Sequence, residues 1–156
     1  MKDLAATLES ILDSGYRRLS AIREEDASLP PAPGKWSPKE VIGHLVDSAV
    51  NNHGRFVRAQ LEDDLIFPGY DQDAWVKLQR YNDRPWAGLI GLWRDLNVHI
   101  ARLVREIPQE SLSRQRFRHN LDRIAWRTVP ADKLVTLEYF IADYIAHLEH
   151  HLAQIE

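Results

Sequence analysis

Apolar residues recur every three or four positions through four long stretches of this chain, and proline or glycine interrupts the pattern between them. Leu4, Leu8, Ile11, Leu12, Leu19 and Ile22 mark the first stripe, over residues 3 to 25 and despite Gly15. A stripe at this spacing lays one face of a helix on a core, and four of them with no internal repeat predict helices packed on helices. The segment SLPPAPGK ends the first, because its prolines and glycine cannot continue a helical hydrogen-bond ladder.

The second helix has the clearest start. Ser37-Pro38-Lys39-Glu40 supplies an N-cap serine, proline at the first helical position and glutamate at the third, and Trp36 with Val41 completes a hydrophobic staple. This helix is expected to run to about Gln60. A long aromatic connection follows, with Phe67, Tyr70, Trp75 and Tyr81, in which DQDAWVKLQRYN reads as a short helix. The third helix is expected over roughly residues 84 to 106, carried by Leu89, Leu92, Trp93, Leu96, Ile100, Leu103 and Val104, and stops before Pro108. In the next connection RQRFRH and RIAWRT flank Asn-Leu-Asp, and their alternation predicts a short hairpin. The fourth helix is read from about Ala131 to Ile155 on Leu134, Leu137, Ile141, Ile145, Leu148, Leu152 and Ile155. The expectation is an all-α four-helix bundle forming one domain over residues 1–156, whose two long connections leave helical neighbours free to run parallel.

Composition narrows the chemistry. A formal charge of −3 gives no bulk drive toward nucleic acid or anionic lipid. The arginines at 114, 116, 118, 123 and 127 are read as the solvated face of the hairpin, so no nucleic-acid partner is expected. No stretch reaches the ~18 apolar residues of a membrane span, and MKDLAATLESIL lacks a basic start followed by an apolar run; no membrane partner and a cytoplasmic location are expected. Without cysteine, any metal sits on nitrogen and oxygen, and any thiol chemistry recruits an external low-molecular-weight thiol.

His147 and His151 stand four residues apart on the fourth helix, close enough for both imidazoles to reach one ion. On a helical wheel they border the buried face, about 40° apart, whereas His150 lies farther from the core and is the poorer ligand. Leucine follows His147, so the HExxH pattern of a zinc protease is excluded. On the second helix His44 shares a polar strip with Asp47, Ser48, Asn51 and Arg55 beside the apolar arc of Val41, Leu45, Ala49 and Phe56. Such a strip faces either solvent or a pocket, and paired helical histidines alone are more often plain surface residues.

KWSPKEVIGHLVDSAVNNHGRF and HLEHHLAQI together resemble the DinB-like superfamily, in the broad group that includes the YfiT-type metal-dependent hydrolases. In that pattern a tryptophan and a hydroxyl residue precede a histidine seven residues on, and a C-terminal HxxxH is often followed by a glutamine, here Gln154. The resemblance implies up-down-down-up topology and one divalent metal ion, zinc, nickel or iron, held by His44, His147 and His151 with a coordination position left open. It further implies an enzyme acting on a small-molecule substrate as a hydrolase or as a thiol S-transferase; the alternative is a non-catalytic metal- or ligand-binding bundle, a sensor or interaction module. Asp143, one turn before His147, and Asp47 or Asn51, one and two turns after His44, are candidates to orient the imidazoles, and the Tyr70–Trp75 segment to cover the open position. His53 and His99 are read as surface or satisfied histidines. A homodimer would follow only from an apolar helix face left over after the bundle packs.

Overall fold

Side-chain caps written into the sequence fix where four of the helices begin, three of the long ones among them. In the computed structural model, which describes residues 3–155, Asp3 accepts a hydrogen bond from the Ala6 amide and starts α1 (Leu4–Ser20). Met1, Lys2 and Glu156 of the expected domain lie outside the described residues. A short α2 (Glu24–Ala27) follows, and then Ser37 and Glu40 form the anticipated capping box at the head of α3 (Pro38–Leu61). The aromatic connection contains α4 (Gln72–Gln79), as its sequence indicates, and a 3-10 turn at Tyr81–Asp83. Then come α5 (Trp86–Glu106), the short α6 (Gln109–Ser113) and α7 (Leu121–Ile124), and finally α8 (Leu137–Leu152).

Two expectations are corrected. The last helix begins six residues later than its apolar pattern indicates, because Thr136 caps it by accepting from the Tyr139 amide and Val135 is drawn into an antiparallel bridge with Arg116. Leu134, read as part of the stripe, is half exposed instead. The hairpin over 114–128 does not form either: α7 occupies its turn and the start of its second arm, and the only bridges among the described residues pair Arg116 with Val135 and Leu65 with His119. Single bridges to distant segments replace the local pairing. Arg116 is the reason, because its buried guanidinium donates to the carbonyls of Ala59 at 2.9 Å, Glu62 at 2.9 Å and Asp63 at 3.1 Å at the end of α3. A cation there also offsets the negative end of the helix dipole. Arg114 and Arg118 pair with Asp63 and Asp64, so the basic run is tied to this same corner.

The four long helices close in the order α1, α5, α3, α8. Contacts at their ends give the directions. Trp86, at the start of α5, donates its indole N–H to Leu19 near the end of α1, and Arg105 near the end of α5 pairs with Glu9 of α1, so these two are antiparallel. Glu24 binds both Lys39 at the head of α3 and the Trp86 amide, so α3 and α5 run side by side in the same direction. Arg18 donates to the carbonyls of Leu152 and Ile155, which sets α1 parallel to α8. This is up-down-down-up topology. The core between the helices is filled by Leu8, Leu12, Ile42, Leu45, Phe56, Trp93, Phe140 and Ile141, all 2% exposed or less.

One close approach depends on a missing side chain. The ring of Tyr81 lies so near α3 that a Cβ on Gly43 would stand 2.1 Å from it. That seat lets the Tyr81 hydroxyl donate to Asp47 at 2.6 Å, one turn farther along the helix. Gly43→Ala is expected to lower stability by about 1–3 kcal/mol, because overpacking outweighs the ~1 kcal/mol gain in helix propensity. Urea unfolding measures it, and an unchanged or raised midpoint would contradict the close seat of Tyr81.

Candidate metal centre

Antiparallel packing brings the first turns of α3 against the last turns of α8, and with them the histidines of both. His44 is completely buried, and His147 and His151 are partly so. Ring centroids lie 5.1 Å apart for His44 and His147, 4.7 Å for His44 and His151, and 4.5 Å for the pair on α8. Each offers a ring nitrogen within 4.8 Å of the other two. The Nε2 atoms of His44 and His147 are 3.2 Å apart. Two nitrogens bound at about 2.0–2.1 Å to one tetrahedral ion stand about 3.3 Å from each other, so the donor set fits a single small divalent cation.

The protonation states agree with that fit. Burial lowers the pKa of His44 to about 4 and of His147 to about 3, with His151 adding to both. Burial also lowers His151, opposed by a hydrogen bond to Gln154. Neutral imidazole is the form that binds a metal. Gln154 Oε1 lies 2.9 Å from His151 Nδ1, which puts the proton on that nitrogen and leaves Nε2 for the cluster. Trp36, the staple residue, packs its ring 5.1 Å from that of His44. The buried Nδ1 of His44 has no hydrogen-bond partner among the described residues, so packing rather than an acceptor orients this ring.

The remaining candidates fall elsewhere. His150 is exposed, stands against Trp126 and stays out of the trio. His53 and His99 face each other across α3 and α5 at 4.8 Å. Neither aspartate orients an imidazole: Asp143 accepts from the amides of Trp126 and Arg127, both at 2.8 Å, and Asp47 accepts from Tyr81 and Gln79. Burial raises the pKa of both carboxyls, and those same hydrogen bonds oppose it. Asn51 donates to the backbone of Asp47. The side chain that does meet one of these imidazoles is Gln154, on His151, which the sequence motif contains but whose contact depends on the turn after α8.

Beside the histidines a cavity of about 310 Å³ opens between α3 and α8, with His147 in its wall. The polar strip of α3 faces this space: Ser48, Asn52 and Arg55 line it and are buried, opposite Phe140, Asp143 and Tyr144 of α8. Both long connections close over it, the first through Tyr70 and Gln72 and the second through Ile124 and Trp126. The Tyr70 segment therefore forms a wall of the cavity, with Trp75 packed behind Tyr70 at 4.9 Å.

The family model of the DinB superfamily matches residues 9–155. The chain belongs to the DinB superfamily. Among relatives of this member is YfiT of Bacillus subtilis, described as a candidate metal-dependent hydrolase, at 24% identity over 95% of this chain and 78% of that protein. OB0782 of Oceanobacillus iheyensis, described in the same terms, is 29% identical over 78% of this chain and 64% of its own length. The solved structure of Bacillus subtilis YfiT, described as having an unusual four-helix bundle topology, superposes with a TM-score of 0.77 over 97% of this chain and 81% of that one, at 22% identity. That likeness establishes the bundle fold for this DinB member. No helix among its described residues is long and apolar enough to cross a membrane.

Proposed function

We propose that this DinB-superfamily protein is a metal-dependent enzyme acting on a small molecule, with His44, His147 and His151 holding one divalent ion. The convergence of three neutral ring nitrogens from two helices within 4.8 Å, with His147 in the wall of a cavity, carries this reading. Three protein ligands leave a coordination position for substrate, the arrangement of catalytic rather than structural sites. When bound, the ion supplies Lewis acidity, polarising a carbonyl or lowering the pKa of a coordinated water or thiol. Imidazole suits zinc, nickel and iron alike. Gln154 fixes the His151 tautomer, Asp143 holds the backbone that carries Trp126, and Tyr70, Trp126, Phe140 and Tyr144 enclose an apolar substrate body and exclude water.

Hydrolysis is the first reaction to test, since the relatives' descriptions point to it. Thiol transfer is the second, because the one carboxylate in the cavity wall, Asp143, has both oxygens engaged by backbone amides and is poorly placed as a general base. The chain has no cysteine, so that thiol is a cosubstrate. Metal-loaded protein is assayed against small esters and amides, and against electrophiles with glutathione-, bacillithiol- and mycothiol-type thiols. Turnover in one arm that His44→Ala abolishes is the expected result. Absence of turnover in every arm from protein that retains its metal would replace the enzyme with a metal- or ligand-binding bundle.

A further inference from the structure

Arg55 lies eleven residues after His44, a separation that returns to nearly the same face of a helix about 16 Å farther along. Ser48 and Asn52 fall between them, and with Arg55 they form the α3 side of the cavity that reaches His147. Arg55 is only 5% exposed. A buried guanidinium normally faces a carboxylate, since removing its charge from water is costly unless that charge is paired. Arg55 forms no ion pair among the described residues. Its protein partners are neutral: the carbonyl of Pro68 at 2.8 Å and the side-chain oxygen of Asn52 at 3.4 Å, with the ring of Tyr70 centred 6.0 Å away.

A guanidinium carries five N–H donors in a planar fork, and these contacts engage few of them. Holding the 62–71 segment to α3 needs only a donor to Pro68, which a neutral amide would supply. A permanent charge at the cavity wall is the added property. The charged residues lining the cavity are Arg55, Arg123 and Asp143, one positive charge in surplus before any divalent ion is held by the histidines. Aromatic rings, from Tyr70, Trp126, Phe140 and Tyr144, make up much of the remaining wall.

We propose that Arg55 anchors a carboxylate or phosphate group of the substrate, holding an apolar or aromatic molecule across the cavity from the three histidines. The assignment of a reacting end at the histidines rests on the metal-centre reading above; the anion subsite is tested apart from it. The fork of Arg55 matches the geometry of either oxyanion.

Calorimetric titration of metal-free protein with phenylacetate, phenyl phosphate and the neutral phenylacetamide tests the subsite without reference to turnover. At least one of the two anions is expected to bind tenfold or more tightly than the amide. Arg55→Met should remove that preference while the variant retains the wild-type metal content, and Arg55→Lys should restore part of it. A variant with alanine at His44, His147 and His151 should lose metal and keep the preference for the anion. Equal binding of anion and amide by the wild-type protein overturns the proposal whether or not the Arg55 variants fold, as does an unchanged preference in folded Arg55→Met. If instead the triple-histidine variant keeps its metal, the metal-centre reading fails, and the anion series still decides the role of Arg55.

Discussion

A variant with alanine at His44, His147 and His151 is expected to purify without bound divalent metal, whereas untagged wild-type protein carries close to one ion per chain and His150→Ala keeps it. The contrast follows from position: the three nitrogens of the first set lie within 4.8 Å of each other, and His150 is outside the group. Elemental analysis decides it, and near-stoichiometric metal in the triple variant would remove the assignment. A second measurement uses protons in place of metal. Burial holds His44 near pKa 4 and His147 near 3, against an ordinary value of 6.5. As pH falls below 6.5 the unfolded chain takes up protons that the folded chain resists, so stability present above 6.5 is lost down to about 4 and then 3. The thermal midpoint of metal-free wild-type protein should therefore fall through that window more steeply than that of the triple variant. Parallel curves would mean that the imidazoles do not sit in the desolvated cluster described.

Arg116→Ala is expected to be the most destabilising of the arginine substitutions in the 114–127 segment. Its guanidinium is 2% exposed and satisfies three carbonyls at the end of α3. Removing it leaves those acceptors short of donors and opens a gap at the corner where 62–65 meets 116–119, a loss of about 3 kcal/mol. For a chain of this size that lowers the thermal midpoint by roughly 6–12 °C. Arg114→Ala, whose partner Asp63 is exposed, should cost about 0.5 kcal/mol or less. Thermal unfolding of the two variants side by side tests this. Equal midpoints would show that Arg116 does not hold the end of α3.

The parts of the fold that were legible beforehand are those fixed by neighbours in sequence. Ser37, Pro38 and Glu40 announce the head of α3, and the capping box forms as written. The i, i+4 histidines of α8, and the family resemblance carried in part by the seven-residue step from Ser37 to His44, point to the three imidazoles that the fold brings together. What the pattern could not supply depends on contacts between distant segments. The apolar stripe of the last helix continued through Leu134, but the bridge from Val135 to Arg116 competes with helix there and Thr136 then sets the start. The alternation in RQRFRH and RIAWRT looked like paired strands, yet Arg116 turns inward to the carbonyls of α3. Asp143 stands one turn from His147 on the wheel, and only the path of the second connection gives its oxygens to the Trp126 and Arg127 amides. The polar strip of α3 was ambiguous for the same reason: both connections had to be placed before Arg55 could be seen as a buried side chain facing a cavity.

His44 and His147 are separated by 103 residues, and Arg18 reaches the carbonyl of Ile155 across 137. Joining such distant segments carries a loop-closure entropy, and α8 must dock on α3 before the histidines meet. The histidine cluster cannot exist before that step. An ion held across the cluster would bind the native chain and not the unfolded one, and so would stabilise the fold by mass action. Metal supply would then shift the folded fraction of the chain near its thermal midpoint, a stabilising role carried by the same three side chains.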